Sequence, residues 1–430
     1  MMEKLKNNTL VVIFFIIFVD LLGFGILIPV IPLLLADPAS QYFLLSGAGS
    51  VASGYILLGL LTAIYPLMMF LAAPILGQLS DRFGRKKLLA ISVAGSAIAY
   101  IIFALGILFR NIPMLFISRA FDGITGGNIA IAQASIADVT EPKDRAKNFG
   151  LIGAAFGLGF IIGPFLGGEL SNPALVSWFS ASTPFYFAAM LSFTELMLIL
   201  LVLPETLKER AKALHVSMLR SIENIIQVYK HKSVRAVLST VFLFQMGFTF
   251  FTTFIAVFYI NKFGFTQGSI GNLFAYIGIW IAFTQLFITR KLPANREYQI
   301  LRISLIATAI ALFLVVIPTA PWQLLVIYPI FAIFNGITQA YLTGLVSRSA
   351  DRSIQGQILG INSSVAAFAQ MIPPVIAGFM AAAFSPVFPL YIASGIALVA
   401  AAVFWIFCRP EHAVVGETGD NSVHEGMAPH

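Results

Sequence analysis

The sequence predicts an all-α integral membrane protein with twelve transmembrane helices in two six-helix bundles, and three observations carry that fold class. Of the 430 residues, 59% are apolar and only 10% are charged, against about half and about a quarter in an ordinary globular domain. So few charges cannot cover a soluble body of this length, which excludes a soluble enzyme, a disordered chain and a disulfide-rich secreted domain. The apolar residues gather into twelve runs, at roughly 10–35, 51–76, 88–109, 112–137, 146–170, 184–203, 236–260, 268–289, 300–318, 322–346, 357–383 and 386–408. Most reach the 20 or so residues that a helix needs to cross a bilayer. With the amino terminus in the cytoplasm, 23 of the 26 Lys and Arg fall in cytoplasmic segments; Arg110 and Lys262 lie outside and Arg119 lies within a span. That bias predicts a multi-pass inner-membrane protein with both termini in the cytoplasm. The net charge of +7 is therefore a topology signal and not a nucleic-acid face.

The first run carries Asp20, is too long for a signal-peptide core and lacks a small-residue cleavage site, so it is expected to stay as the first helix. Between the second and third runs lies Gly77-Gln-Leu-Ser-Asp81-Arg82-Phe-Gly84-Arg85-Lys86-Lys87, a tight turn whose central acid is flanked by cations. The fourth run holds Arg119 and Asp122, three residues apart and so on one helix face, where they can pair. A buried Arg is costly in lipid and must face the protein interior or water. The fifth run reads Gly159-x3-Gly163-Pro164-x2-Gly167-Gly168. Glycines four apart let another backbone come close, and the proline permits a bend, which together predict a seam that seals and reopens. The sixth run adds Glu195. Acids inside a bilayer are expensive to keep charged and mark functional positions, and Asp20, Asp122 and Glu195 all belong to the first half.

A polar stretch from Glu205 to Arg235 divides the runs six and six. It predicts a first bundle over 1–204, a cytoplasmic linker with one surface helix over 205–235, a second bundle over 236–410 and a disordered tail over 411–430. A shift of 210 residues sets Gly126 on Gly336, Gly150 on Gly360, Gly163-Pro164 on Pro373-Pro374 and Gly168 on Gly378. Duplicated six-helix units are characteristic of secondary transporters, with the substrate site between the repeats. The second half has no acid within its spans and offers Gln245, Gln285, Asn335, Gln339, Asn362 and Gln370 as substrate-binding candidates, each of which could equally hydrogen-bond a neighbouring helix. There is no Walker loop, the five histidines lie in the linker and tail, and the single cysteine, Cys408, cannot form an internal bridge. No cofactor, metal site or enzymatic site is expected.

These motifs resemble those of the major facilitator superfamily. Gly77–Lys87, Arg119-x2-Asp122-Gly123 and Gly159–Gly168 look like its three signature motifs, the last typical of its proton-driven drug antiporters. Asp20-Leu-Leu-Gly23-Phe-Gly25-x3-Pro29-x2-Pro32 is similar to the first-helix motif of that group, and Ser347-Arg348 with Gln355-Gly356-Gln357-x2-Gly360 to a segment of tetracycline–proton antiporters. The resemblance implies two bundles that rock about a central site and a gate in which Asp81 meets Arg85, Asp138 and the helix start near Gly356; the intramembrane charges themselves put proton coupling on Asp20, aided by Arg119 and Asp122, with Asp122 and Glu195 as back-ups. Departures are specific: Ala99 stands where those antiporters carry a third-helix acid, Asp122 replaces a usual Gln, Glu195 is additional, and the run 300–318 has no acid.

The expected function is proton-coupled export of small organic, drug-like molecules by alternating access, the protein acting as a monomer on a small-molecule substrate and protons. The acidic first half favours a lipophilic or cationic compound. Alternatives are a proton-coupled importer of a small nutrient and a transporter-like receptor without turnover.

Overall fold

The computed structural model describes residues 2–47, 49–140, 145–207, 210, 232–293, 296–348 and 355–408. Its helices follow the apolar runs closely. The first half contains α1 (Met2–Leu35), α2 (Ser50–Phe83), α3 (Arg85–Leu108), α4 (Ile112–Thr125), α5 (Asn128–Val139), α6 (Arg145–Glu169) and α7 (Thr183–Leu201). The second half contains α8 (Lys232–Phe263), α9 (Gln267–Phe283), α10 (Glu297–Leu314), α11 (Leu324–Arg348), α12 (Gln355–Ala383) and α13 (Phe388–Phe407). Among the described residues, ten helices are long and apolar enough to cross a membrane. The amphipathic piece of the linker and the tail 411–430 lie outside the described residues, and α8 begins inside the expected linker.

The expected span at 112–137 differs from a single helix. It is broken at Gly126 and Gly127, both near φ −65° and ψ 0°, into α4 and α5. A Cβ at Gly126 would lie 2.7 Å from the Tyr65 hydroxyl, and one at Gly127 would lie 3.0 Å from Ala73 Cα. The break thus lets α4 and α5 close on α2, and it falls just beyond Asp122. The span at 146–170 is the 25-residue helix α6. A second irregularity follows α9, where Thr284–Ile288 form a π turn; such turns widen the backbone locally.

The two halves meet on α6 against α9 and on α2 against α12, and the internal repeat explains why. Gly168 packs on Gly271 Cα and the Gln267 carbonyl, while Gly378, its match in the second half, packs on Gly59 Cα and the Tyr55 carbonyl. The Pro164 carbonyl lies 2.9 Å from where a Gly271 Cβ would be, and the Pro374 carbonyl 2.2 Å from where a Gly59 Cβ would be. Repeated residues therefore make the same backbone-on-backbone contact twice. Both contacts sit at the end of the bundle that carries the 36–47 loop. Three hydrogen bonds cross between the halves there: Asn261 Nδ2 to the Tyr55 hydroxyl at 2.9 Å, Asn272 Nδ2 to Glu169 at 3.0 Å and Gln267 Nε2 to the Ser171 carbonyl at 3.3 Å.

Candidate functional site

Three helices, α1, α4 and α7, bring the intramembrane charges of the first half together. Asp20 lies near the middle of α1, 15 residues short of Leu35, or about 23 Å of helix at 1.5 Å per residue. Arg119 and Asp122 pair as their spacing predicts, Nη2 to Oδ2 at 2.6 Å, with both side chains buried. The Arg119 guanidinium also lies over the Tyr65 ring, 4.8 Å from its centroid. Glu195 on α7 is 1% exposed. Asp20 is an electrostatic neighbour of both Asp122 and Glu195, and Asn128, the first residue of α5, stands beside it.

Several polar atoms in this cluster are buried without a hydrogen-bond partner among the described residues: Asp20 Oδ2, both Glu195 carboxylate oxygens, both side-chain polar atoms of Asn128, and Arg119 Nη1. Native proteins leave few such groups unpaired, because each costs about 1–3 kcal/mol and more when charged. Here they concentrate around the acids that the sequence singles out. Asp122 is held by Arg119, whereas Asp20 keeps one oxygen and Glu195 both oxygens unpaired.

A cavity opens next to this cluster, on the interface between the halves. It holds about 570 Å³ of free space, open mouth included, and is lined by apolar side chains of α1 and α2, by Thr62, Tyr65 and Arg119, and by Thr249, Thr252 and Thr253 of α8. None of the six amides read from the sequence lines it. Asn335 is buried on α11 with its Oδ1 unpaired, and Asn362 Oδ1 is likewise unpaired. Gln285, in the π turn, faces Gly157 of α6, its Oε1 3.7 Å from where a Cβ would stand. Gln245, Gln339 and Gln370 are half-buried on α8, α11 and α12. Sequence reasoning missed the threonines, although their i, i+3, i+4 spacing is the signature of one helix face.

The 77–87 turn is organised around Arg85. Its Nη2 pairs with Asp81 at 2.6 Å and its Nε with Asp138 at 3.1 Å, while Nη1 donates to Ser80 Oγ. Its own backbone N–H donates to Glu205 Oε1 at 2.9 Å. Glu205, just past α7, therefore caps the amino terminus of α3, where a carboxylate also meets the positive helix end. Gly84 has φ +104°, and a Cβ there would lie 2.3 Å from the Glu205 carboxylate, so only glycine fits both the backbone and the cap. Arg82 projects outward with its guanidinium 5.5 Å from the Phe83 ring centroid, and Gly77 has open space around it. The expected approach of Asp81 to the helix start near Gly356 lies outside the described side chains.

The glycine motif of α6 faces two ways. Gly159, Gly163 and Gly167 press on α1 within the first half: their Cβ positions lie 2.6 Å from Leu21 Cβ, the Leu22 carbonyl and the Ile26 carbonyl respectively. Gly168 and the Pro164 carbonyl instead face α9 across the interface. Gly163→Leu should thus displace α1, and Asp20 with it, rather than merely jam the seam. The expected result is a loss of about 1–3 kcal/mol, the usual cost of overpacking, with transport falling although the protein inserts. Thermal unfolding of the purified variant checks this; an unshifted midpoint with normal transport would refute it.

The sequence pattern of the Major Facilitator Superfamily matches residues 13–372 and again 295–429. The chain is 31% identical over 413 residues to the class C tetracycline resistance protein of Escherichia coli, covering 94% of this chain and 96% of that one. It is 28% identical over 406 residues to the quinolone resistance protein NorA of Staphylococcus aureus, covering 93% and 96%. Among solved structures it resembles the human organic anion transporter MFSD10 (TETRAN), with a TM-score of 0.71 and 22% identity over 93% of this chain and 99% of that one. The duplicated bundles, their glycine-lined interface and a match running through nearly the whole length agree: the chain belongs to the major facilitator superfamily and is a membrane transporter, not an enzyme.

Proposed function

We propose that the protein is a proton-coupled exporter of small organic molecules, working as a monomer in the inner membrane by alternating access between a first bundle over 1–204 and a second over 236–410. Both termini are cytoplasmic in this reading, so the end carrying the 36–47 loop faces outward and the described conformation is closed to the outside. The observation that supports coupling is a pair of buried carboxyl groups, Asp20 with its Oδ2 unpaired and Glu195 with both oxygens unpaired, beside a satisfied Arg119–Asp122 pair. A buried charge without a partner is costly. A carboxyl sealed in this way can exchange a proton when rocking admits water or brings Arg119 closer. The names of the tetracycline and quinolone resistance relatives support drug-like cargo.

Proteoliposomes with an imposed pH gradient and a panel including tetracycline and a quinolone test the reading. Gradient-dependent accumulation that a protonophore collapses is expected; flux indifferent to the gradient would overturn it.

The Arg85 cluster is assigned to the cytoplasmic gate, comprising Gly77, Asp81, Arg82, Gly84, Arg85 and Asp138. Asp81 is 46% exposed, and a half-exposed ion pair is worth up to about 1 kcal/mol. Asp81→Asn should slow transport by up to about fivefold, which is that energy as a rate ratio, and leave substrate affinity within about twofold. Unchanged transport rates would remove Asp81 from the gate.

A further inference from the structure

We infer that the cavity between the halves binds an apolar ring compound that carries an anionic group, most simply a carboxylate, together with at least one hydroxyl or N–H donor. This rests on the exporter reading and names the substrate class of its central site. Most of the lining is apolar and suits a ring system, so recognition falls to the few polar groups. Arg119 is the one charged residue among the lining residues. Its Nη2 is held by Asp122, while its Nη1 is buried without a partner. A ligand acceptor would satisfy that donor, and a carboxylate would do so with a charge-assisted bond.

The threonines specify the other half of the ligand. Thr249 donates its hydroxyl proton to the Gln245 carbonyl at 2.8 Å, and Thr253 donates to the Thr249 carbonyl at 2.7 Å. Thr252 donates to the same carbonyl at 3.3 Å, and Thr62 to the Leu58 carbonyl at 2.8 Å. A hydroxyl has one proton to give and two lone pairs, so all four side chains have spent their donors on their own helices. They present only acceptors, which a ligand must meet with O–H or N–H groups. A cationic compound finds no counter-charge on these walls, because neither Asp20 nor Glu195 lines the cavity and Asp122 is engaged by Arg119. The acid-rich first half, which favours a cation when read as sequence alone, keeps its acids out of this space.

The test is binding of three naphthalene probes to the purified full-length protein in nanodiscs at pH 7: 6-hydroxy-2-naphthoate, 2-naphthoate and 2-naphthylmethylammonium. The hydroxynaphthoate should bind about tenfold more tightly than the ammonium, and about threefold more tightly than the unsubstituted naphthoate, as expected for one charge-assisted and one neutral hydrogen bond. The paired change Arg119→Gln with Asp122→Asn removes the ion pair without stranding a charge, and should erase the advantage of the carboxylate. The paired change Thr252→Val with Thr253→Val should erase the advantage of the hydroxyl. Equal or tighter binding of the ammonium, carboxylate binding that survives the Arg119–Asp122 change, or no saturable binding of any probe would each overturn the inference. Gradient-driven accumulation of the ammonium by proteoliposomes, with no carboxylate binding, would sink this inference and leave coupled export standing. Tight carboxylate binding with gradient-insensitive flux would sink coupled export and leave the inference standing.

Discussion

Asp20→Asn should abolish gradient-driven export while sparing exchange of substrate down its own gradient. Asn is nearly isosteric and keeps an acceptor oxygen, so α1 can keep its packing against Gly159, Gly163 and Gly167. What it loses is the group that takes up and gives up a proton. Asn places no charge in this buried cluster, so the folded protein should keep about the thermal stability of the parent. A fall in accumulation to background, with counterflow retained and no loss of stability, separates a coupling role from a structural one. Glu195→Gln is the companion experiment, since Glu195 is more buried and less well partnered than Asp20. Should Asp20→Asn still accumulate substrate in a pH-dependent way, proton carriage passes to Glu195, and only the Glu195 variant would then fail.

Apolar runs located the helices, most ends within a few residues but α1 beginning eight residues before its run and α2 ending seven beyond its own, and the reason is physical: a bilayer demands a run of set length. Arg119 and Asp122 were legible for the same kind of reason, because i, i+3 spacing is decided locally on one helix. The break at Gly126–Gly127 was present in the sequence as a glycine pair but depends on how closely α2 approaches, which no single helix records. Cavity lining was less legible still. In a membrane bundle both the lipid face and the protein face are apolar, so periodicity does not reveal which side of α8 looks inward; the threonines there and the amides elsewhere are equally plausible until the helices are rotated into place. Glu205 was invisible as a cap because its partner, the Arg85 N–H, is 120 residues away. Glu195 was read as an acid in a span, but that neither oxygen finds a partner is a tertiary fact.

Gly59→Leu should prop the outer seal open. Even a bare Cβ at position 59 would stand 2.2 Å from the Pro374 carbonyl oxygen and 3.1 Å from Gly378 Cα, and both are backbone atoms that cannot swing aside. Pro373 and Pro374 lie in a row on α12, so the main chain there has little freedom to retreat within its own helix. The strain is relieved most cheaply by parting α2 from α12, which also breaks the bond between Asn261 and Tyr55 four residues away on α2. Unlike at Gly163, the three atoms nearest to a Cβ at Gly59 all belong to the other half. Each bundle should therefore fold and insert normally while the equilibrium between outward-closed and outward-open states moves toward open. The chain carries a single cysteine, so Cys408→Ser gives a clean background in which Asn261→Cys reports on the seal. Labelling of that site by a membrane-impermeant maleimide applied from outside should accelerate about tenfold in Gly59→Leu, corresponding to roughly 1.4 kcal/mol of shifted equilibrium, with Gly59→Ala between it and the parent. Export should fall in the same order, because a carrier that cannot seal outside cannot return its empty site. Labelling at the parental rate in a well-inserted Gly59→Leu protein that still exports would mean that this crossing does not gate the outer side.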